Sequence, residues 1–82
     1  MITQNWWVYL LECKDKKLYV GIAKNVEARV GQHNKGTGCR FTKYRCPVRL
    51  LSKECHPGFS SARKREAELK GFNRNKKLKF CK

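Results

Sequence analysis

The stretch WWVYLLECKDKKLYVGIAKN, residues 6–25, decides how this chain folds. Two runs rich in aromatic and branched side chains, Trp6 to Cys13 and Leu18 to Ile22, flank a polar connection of Lys14, Asp15, Lys16 and Lys17. Apolar runs joined by so short a polar segment predict a β-hairpin. Alternation puts Trp7, Tyr9, Leu11 and Cys13 on one face of the first strand and Trp6, Val8 and Leu10 on the other. Both faces are apolar, so the strand is expected to be covered on both sides and central in its sheet. The hairpin also sets Tyr9 and Tyr19 at matching places in neighbouring strands. They are either ordinary strand residues or two walls of one site.

Downstream, Asn25 is a good N-cap with Glu27 in the first turn, which predicts a helix to about Asn34 that Gly36 closes in a left-handed conformation. KGTGCRFTKYR, residues 35–45, reads as a basic, glycine-containing loop. Pro47 leads into Val48, Leu50 and Leu51, a third strand ending near Cys55, and HPG at 56–58 makes a turn. Ser60 or Ser61 is expected to cap a second helix reaching about Asn73. The order is therefore β-β-α-β-α, a three-stranded, mostly antiparallel sheet flanked by helices, of the α+β class. The 82 residues are expected to form one domain, 1–82, with a basic tail over 74–82 that carries a short helical turn.

Composition narrows the function. Lysine and arginine number 20 against six acidic residues, a formal net charge of +14. From Ala28 to Lys53 there is no acid, only Arg29, Lys35, Arg40, Lys43, Arg45, Arg49 and Lys53. A polyanion is the expected partner, DNA first and RNA second, because phosphate contacts with counterion release supply most non-specific affinity. Lys24, Lys35, Arg40, Lys43, Arg45 and Arg63 are the candidate contacts. No apolar run approaches the roughly 20 residues that span a bilayer, and the start lacks the pattern of a signal peptide. A cytoplasmic location is expected, with no membrane partner and room for a protein one. Five cysteines, Cys13, Cys39, Cys46, Cys55 and Cys81, with no CxxC pair, make a poor disulfide framework. Cys39, Cys46, Cys55 and His56 are too irregularly spaced for a zinc site.

Both helices carry polar residues where apolar ones belong. At about 100° per residue Val26, Val30 and His33 share one stripe, with Arg29 at its edge. On the second helix Ala62, Glu66, Leu69 and Asn73 line up. A carboxylate turned toward a core costs several kcal/mol unless a cation answers it. That cation is either Arg29, in a salt bridge joining the two helices, or a metal ion. Two strand tyrosines, an arginine, a histidine and a glutamate on one side of a small basic domain would make a phosphodiester site.

These residues resemble the GIY-YIG nuclease superfamily. The likeness is carried by VYL at 8–10, YVG at 19–21, Arg29 ten residues after Tyr19, His33 within RVGQHNKG, and Glu66 within REAELKGF. It spans Trp6 to about Asn73 and looks like the branch of small standalone bacterial proteins, related to the catalytic subunit of structure-specific repair nucleases. The first motif is reduced to its tyrosine, Ile22 stands where excision-repair members carry a lysine, and Ala23 replaces a threonine frequent in relatives. The resemblance implies a divalent-metal-dependent DNA endonuclease, a hydrolase acting in DNA repair or recombination. It implies that Glu66 binds Mg²⁺ or Mn²⁺, Tyr9 activates the attacking water, His33 relays the proton, Arg29 holds the phosphate and Tyr19 positions phosphate or water. A non-catalytic DNA- or RNA-binding module is the alternative, with Trp6, Phe41, Tyr44 and Phe59 stacking on bases.

Overall fold

The structure, a computed structural model, describes residues 5–38 and 40–80, apart from the Phe41 side chain. Cys39, Cys81 and the stacking role expected of Phe41 lie outside it. The elements run β1 (Trp6–Glu12), β2 (Leu18–Ala23), α1 (Val26–Asn34), α2 (Arg40–Lys43), β3 (Arg49–His56), α3 (Phe59–Lys70) and α4 (Arg74–Lys79). The sheet order is β2-β1-β3 and both pairings are antiparallel, so β1 is central as its two apolar faces required.

Strand alternation divides the core in two. Tyr9, Leu11 and Cys13 point to the α1 side and pack with Ala23, Val26 and Val48. Val8, Leu10 and Val20 point to the other side, where Ala62 and Leu69 of α3 cover them, with Phe72 and Phe80 packed alongside. Full burial of side chains such as Leu10, Leu11 and Leu69 contributes about 1.5–3 kcal/mol each. In the hairpin turn Lys16 takes a left-handed φ of 72°, and Asp15 Oδ1 accepts from the Lys17 amide.

Capping shows where local rules held. The Asn25 side chain accepts from the Ala28 amide at 3.0 Å, and Gly36 follows α1 at φ 80°, the left-handed region that glycine tolerates. The expected serine cap of α3 is replaced: Gly58 is the N-cap and makes no side-chain capping bond. Ser61 Oγ instead shares a 2.7 Å hydrogen bond with His56 Nδ1, tying the first turn of α3 to β3. The helix stops at Lys70 rather than Asn73 because Gly71 ends it, and Asn73 caps α4 by accepting from the Lys76 amide. The basic loop 35–45 is not wholly irregular, since Arg40–Lys43 form the short helix α2. Among the described residues no helix is long and apolar enough to cross a membrane, and no group of three or more His, Cys, Asp or Glu side chains could hold a metal ion.

Candidate active site

The register of the hairpin brings the two tyrosines together. Tyr9 lies opposite Gly21 and Tyr19 opposite Leu11, so both rings rise on the α1 face, diagonal to one another with centroids 6.3 Å apart. A Cβ at position 21 would stand 2.5 Å from Tyr9 Oη and 2.6 Å from its Cζ, so the phenol lies across the glycine. His33, from the far end of α1, closes the group. Its Nε2 shares a 3.1 Å hydrogen bond with Tyr9 Oη, and its ring meets that of Tyr19 edge-on at 5.3 Å. His33 is fully buried and Tyr9 is 1% exposed, whereas Tyr19 is half-buried.

Gly38 and Thr42 border the other side of the imidazole. His33 Nδ1 and Thr42 Oγ1 are 2.6 Å apart, and Thr42 is itself fully buried. Arg29, one turn before His33, donates from Nη2 to the Gly38 carbonyl at 2.9 Å and from Nη1 to Gln32 Oε1 at 2.7 Å. A Cβ on Gly38 would fall 2.3 Å from His33 Nδ1 and 2.9 Å from its Cα. Gly38→Ala is therefore expected to cost about 1–3 kcal/mol, since ring and backbone must both give way. Gly31→Ala, in α1 with nothing within 4 Å, should instead gain roughly 0.5–1 kcal/mol. Denaturant titration of the two variants checks the contrast; equal effects would mean that the loop does not press on the imidazole.

Burial, and then the Arg29 guanidinium, hold the His33 imidazole below its ordinary 6.5. The unfolded chain thus takes up this proton more readily than the folded one. The contribution of neutral His33 is complete above about pH 6.5 and is lost as pH falls from there through the lower folded-state value. Thermal midpoints should fall between about pH 7 and pH 5, and His33→Gln should flatten that slope. An unchanged slope in the variant would assign it to other groups.

Glu66 stands elsewhere. It lies on the inward stripe of α3 between Ala62 and Leu69, the helix that covers the Val8, Leu10 and Val20 face. Its carboxylate is 9% exposed, accepts from Arg63 Nη1 at 2.8 Å and pairs with Lys70 Nζ at 3.3 Å. Of the two cations the sequence left open for Glu66, Arg29 instead bonds Gln32 and Gly38, and Glu66 takes Arg63 and Lys70 within α3. The structure brings Tyr9, Tyr19, His33 and Arg29 together and sets Glu66 on the opposite helical layer, in a groove bordered by Phe59, Ser60, Arg63, Lys64 and Lys70.

The candidate phosphate contacts divide similarly. Lys35, Arg40 and Lys43 are exposed around α2, next to an 82% exposed Tyr44 over which Lys43 Nζ sits at 5.4 Å. Arg45 is held by Asp15 at 3.0 Å, and Lys24 lies over the Trp6 ring at 5.1 Å. Trp6 packs edge-on against Phe59 at 4.9 Å, so it serves packing first. Thr42 and Gly38 were missed in the sequence: nothing local marks a threonine or glycine in a basic loop as the neighbour of a histidine on another element.

The sequence pattern described as the GIY-YIG catalytic domain matches residues 5–79. The chain is 48% identical over 74 residues to a UPF0213 protein of Staphylococcus saprophyticus, covering 90% of each. It is 47% identical over 76 residues to a UPF0213 protein of Staphylococcus aureus, covering 93% of each. Among solved structures, the solution NMR structure of a UPF0213 protein from Bacillus halodurans is similar, with TM-score 0.58 and 37% identity over 92% of this chain and 80% of that one.

Proposed function

The chain belongs to the GIY-YIG family, and from that premise we propose that it is a divalent-metal-dependent endonuclease that hydrolyses DNA phosphodiester bonds. The observation that carries the reading is the buried hydrogen bond between Tyr9 Oη and His33 Nε2, with Tyr19 and Arg29 beside it. A phenol of ordinary pKa near 10 is a poor base at neutral pH unless a partner takes its proton. His33, kept neutral by burial and by Arg29, is such a partner. As the attacking water gives a proton to Tyr9, the Tyr9 proton passes to His33 Nε2; the hydroxide adds to phosphorus, the phosphorus–oxygen bond to the leaving nucleotide breaks, and its oxygen takes a proton from solvent. Arg29 supplies positive charge for the phosphate by exchanging its bond to Gln32 for a phosphate oxygen, where its planar fork suits two acceptors. Tyr19, the less buried phenol, orients the phosphate or the water.

Glu66 would hold Mg²⁺ or Mn²⁺. Its hard carboxylate donor fits such an ion, and the flanking Arg63 and Lys70 are exposed side chains able to swing off it. With one carboxylate, water and substrate oxygens would complete the shell. Bound there, the cation would supply Lewis-acid stabilisation to a phosphate oxygen of DNA that reaches the α3 side. The basic surface around α2 and Arg63 suits a nucleic-acid backbone, RNA included, and a structure-specific role in repair or recombination is part of the proposal.

A non-catalytic binding module is the second reading, favoured by the pairing of Glu66 within α3 and its position across the sheet from Tyr9. Purified protein incubated with supercoiled, single-stranded, flap and junction DNA, with Mg²⁺, Mn²⁺ or EDTA, separates the two. Metal-dependent cleavage supports the nuclease, and the preferred DNA names its substrate class; binding to every substrate without cleavage supports the module.

A further inference from the structure

We propose that Thr42 is a positioning residue that fixes the tautomer of His33, holding the ring proton on Nδ1 and leaving the Nε2 lone pair for Tyr9. The proposal deepens the proton-relay reading above and rests on it for its catalytic consequence, though not for its structural content.

A neutral imidazole has one donor and one acceptor nitrogen. Among the described residues, Nε2 of His33 meets Tyr9 Oη and Nδ1 meets Thr42 Oγ1. All three residues are buried to 1% exposure or less, so the surroundings that would let the tautomers interchange through solvent are absent. The two hydroxyls differ in acidity. A phenol is a far stronger acid than an aliphatic alcohol and is the better donor, so the lower-energy arrangement gives the phenol the lone pair and lets the N–H point at the threonine. Among the described residues, Tyr9 from β1, Tyr19 from β2, Arg29 from the same helix and Thr42 from α2 face the ring. Arg29 opposes a second proton on the ring, so the relay works from the neutral form.

The geometry also links the tautomer to the nucleic-acid surface. Thr42 lies between Arg40 and Lys43 on α2, and the same loop is tethered by Arg29 to the Gly38 carbonyl. The segment carrying the exposed cations is thus the segment that orders the proton relay.

The test uses the full chain, ¹⁵N-labelled, and long-range proton–nitrogen NMR of the His33 ring at about pH 7.5. Wild type and Thr42→Ser, which keeps the hydroxyl, should both show the Nδ1–H tautomer. Thr42→Val, nearly isosteric without the hydroxyl, should show a mixture or the Nε2–H form. Single-turnover cleavage should fall about tenfold to a hundredfold in Thr42→Val with DNA affinity unchanged, and Thr42→Ser should stay within about threefold of wild type. An Nε2–H ring in wild type overturns the proposal even if Thr42→Val does not fold, and so does an unchanged tautomer in a folded Thr42→Val. If no form cleaves DNA under any condition, the nuclease reading fails, while the NMR result still decides the role of Thr42.

Discussion

Glu66→Gln is expected to lower DNA cleavage on the order of a thousandfold while leaving DNA binding intact or slightly stronger. Glutamine keeps the shape of the side chain but gives up the charge that a hard cation requires. Binding should survive because the substitution removes a negative charge from a surface whose affinity comes from phosphate contacts. The fold should survive as well. Arg63 and Lys70, 65% and 54% exposed, can turn to solvent when the carboxylate is lost, and such exposed partners are worth about 1 kcal/mol or less. Cleavage, fluorescence-polarisation binding and thermal unfolding of the same preparation separate the outcomes. Wild-type cleavage in the variant would remove Glu66 from the metal role. A large loss of stability with cleavage per folded molecule unchanged would make it a structural anchor of α3.

Tyr9→Phe is expected to reduce single-turnover cleavage by about a hundredfold to a thousandfold, within the span typical of general acid–base groups. The substitution removes one oxygen and keeps the ring packed across Gly21, so the sheet should be undisturbed. It also leaves His33 Nε2 buried without its Tyr9 partner, for a cost of about 1–3 kcal/mol in stability. The activity loss must therefore be measured well below the unfolding midpoint. Gly31→Ala, with nothing within 4 Å of the added Cβ, is the control. A Tyr9→Phe protein that cleaves like wild type would sink the relay, whatever the NMR of His33 shows.

The two effects bear on different layers of the protein, and this was the least legible part of the chain. Helical periodicity correctly put Glu66 on the buried stripe of α3 and His33 on the buried stripe of α1. It could not say that those stripes face opposite sides of one sheet, and so could not choose between Arg29 and a metal ion as the answer to Glu66. Among the described residues, Glu66 pairs with Arg63 and Lys70, and Arg29 with Gln32 and Gly38. The serine cap of α3 failed for a related reason. Ser61 has the right chemistry for capping, but His56, five residues away, competes for its hydroxyl.

The sequence by itself determined what depends on neighbours along the chain: the hairpin, the central place of β1, the Asn25 cap, the left-handed Gly36 and the family that Tyr9, Tyr19, Arg29 and His33 announce. Each follows from strand or helix periodicity, or from the backbone preference of one residue. The tertiary structure alone decided which hydroxyl meets which nitrogen of His33, that Gly38 leaves room for that ring, and that Glu66 is answered by Arg63 and Lys70. These pairings depend on how elements stack after the chain has turned back on itself, and a hydrogen bond is made or lost within a fraction of an ångström.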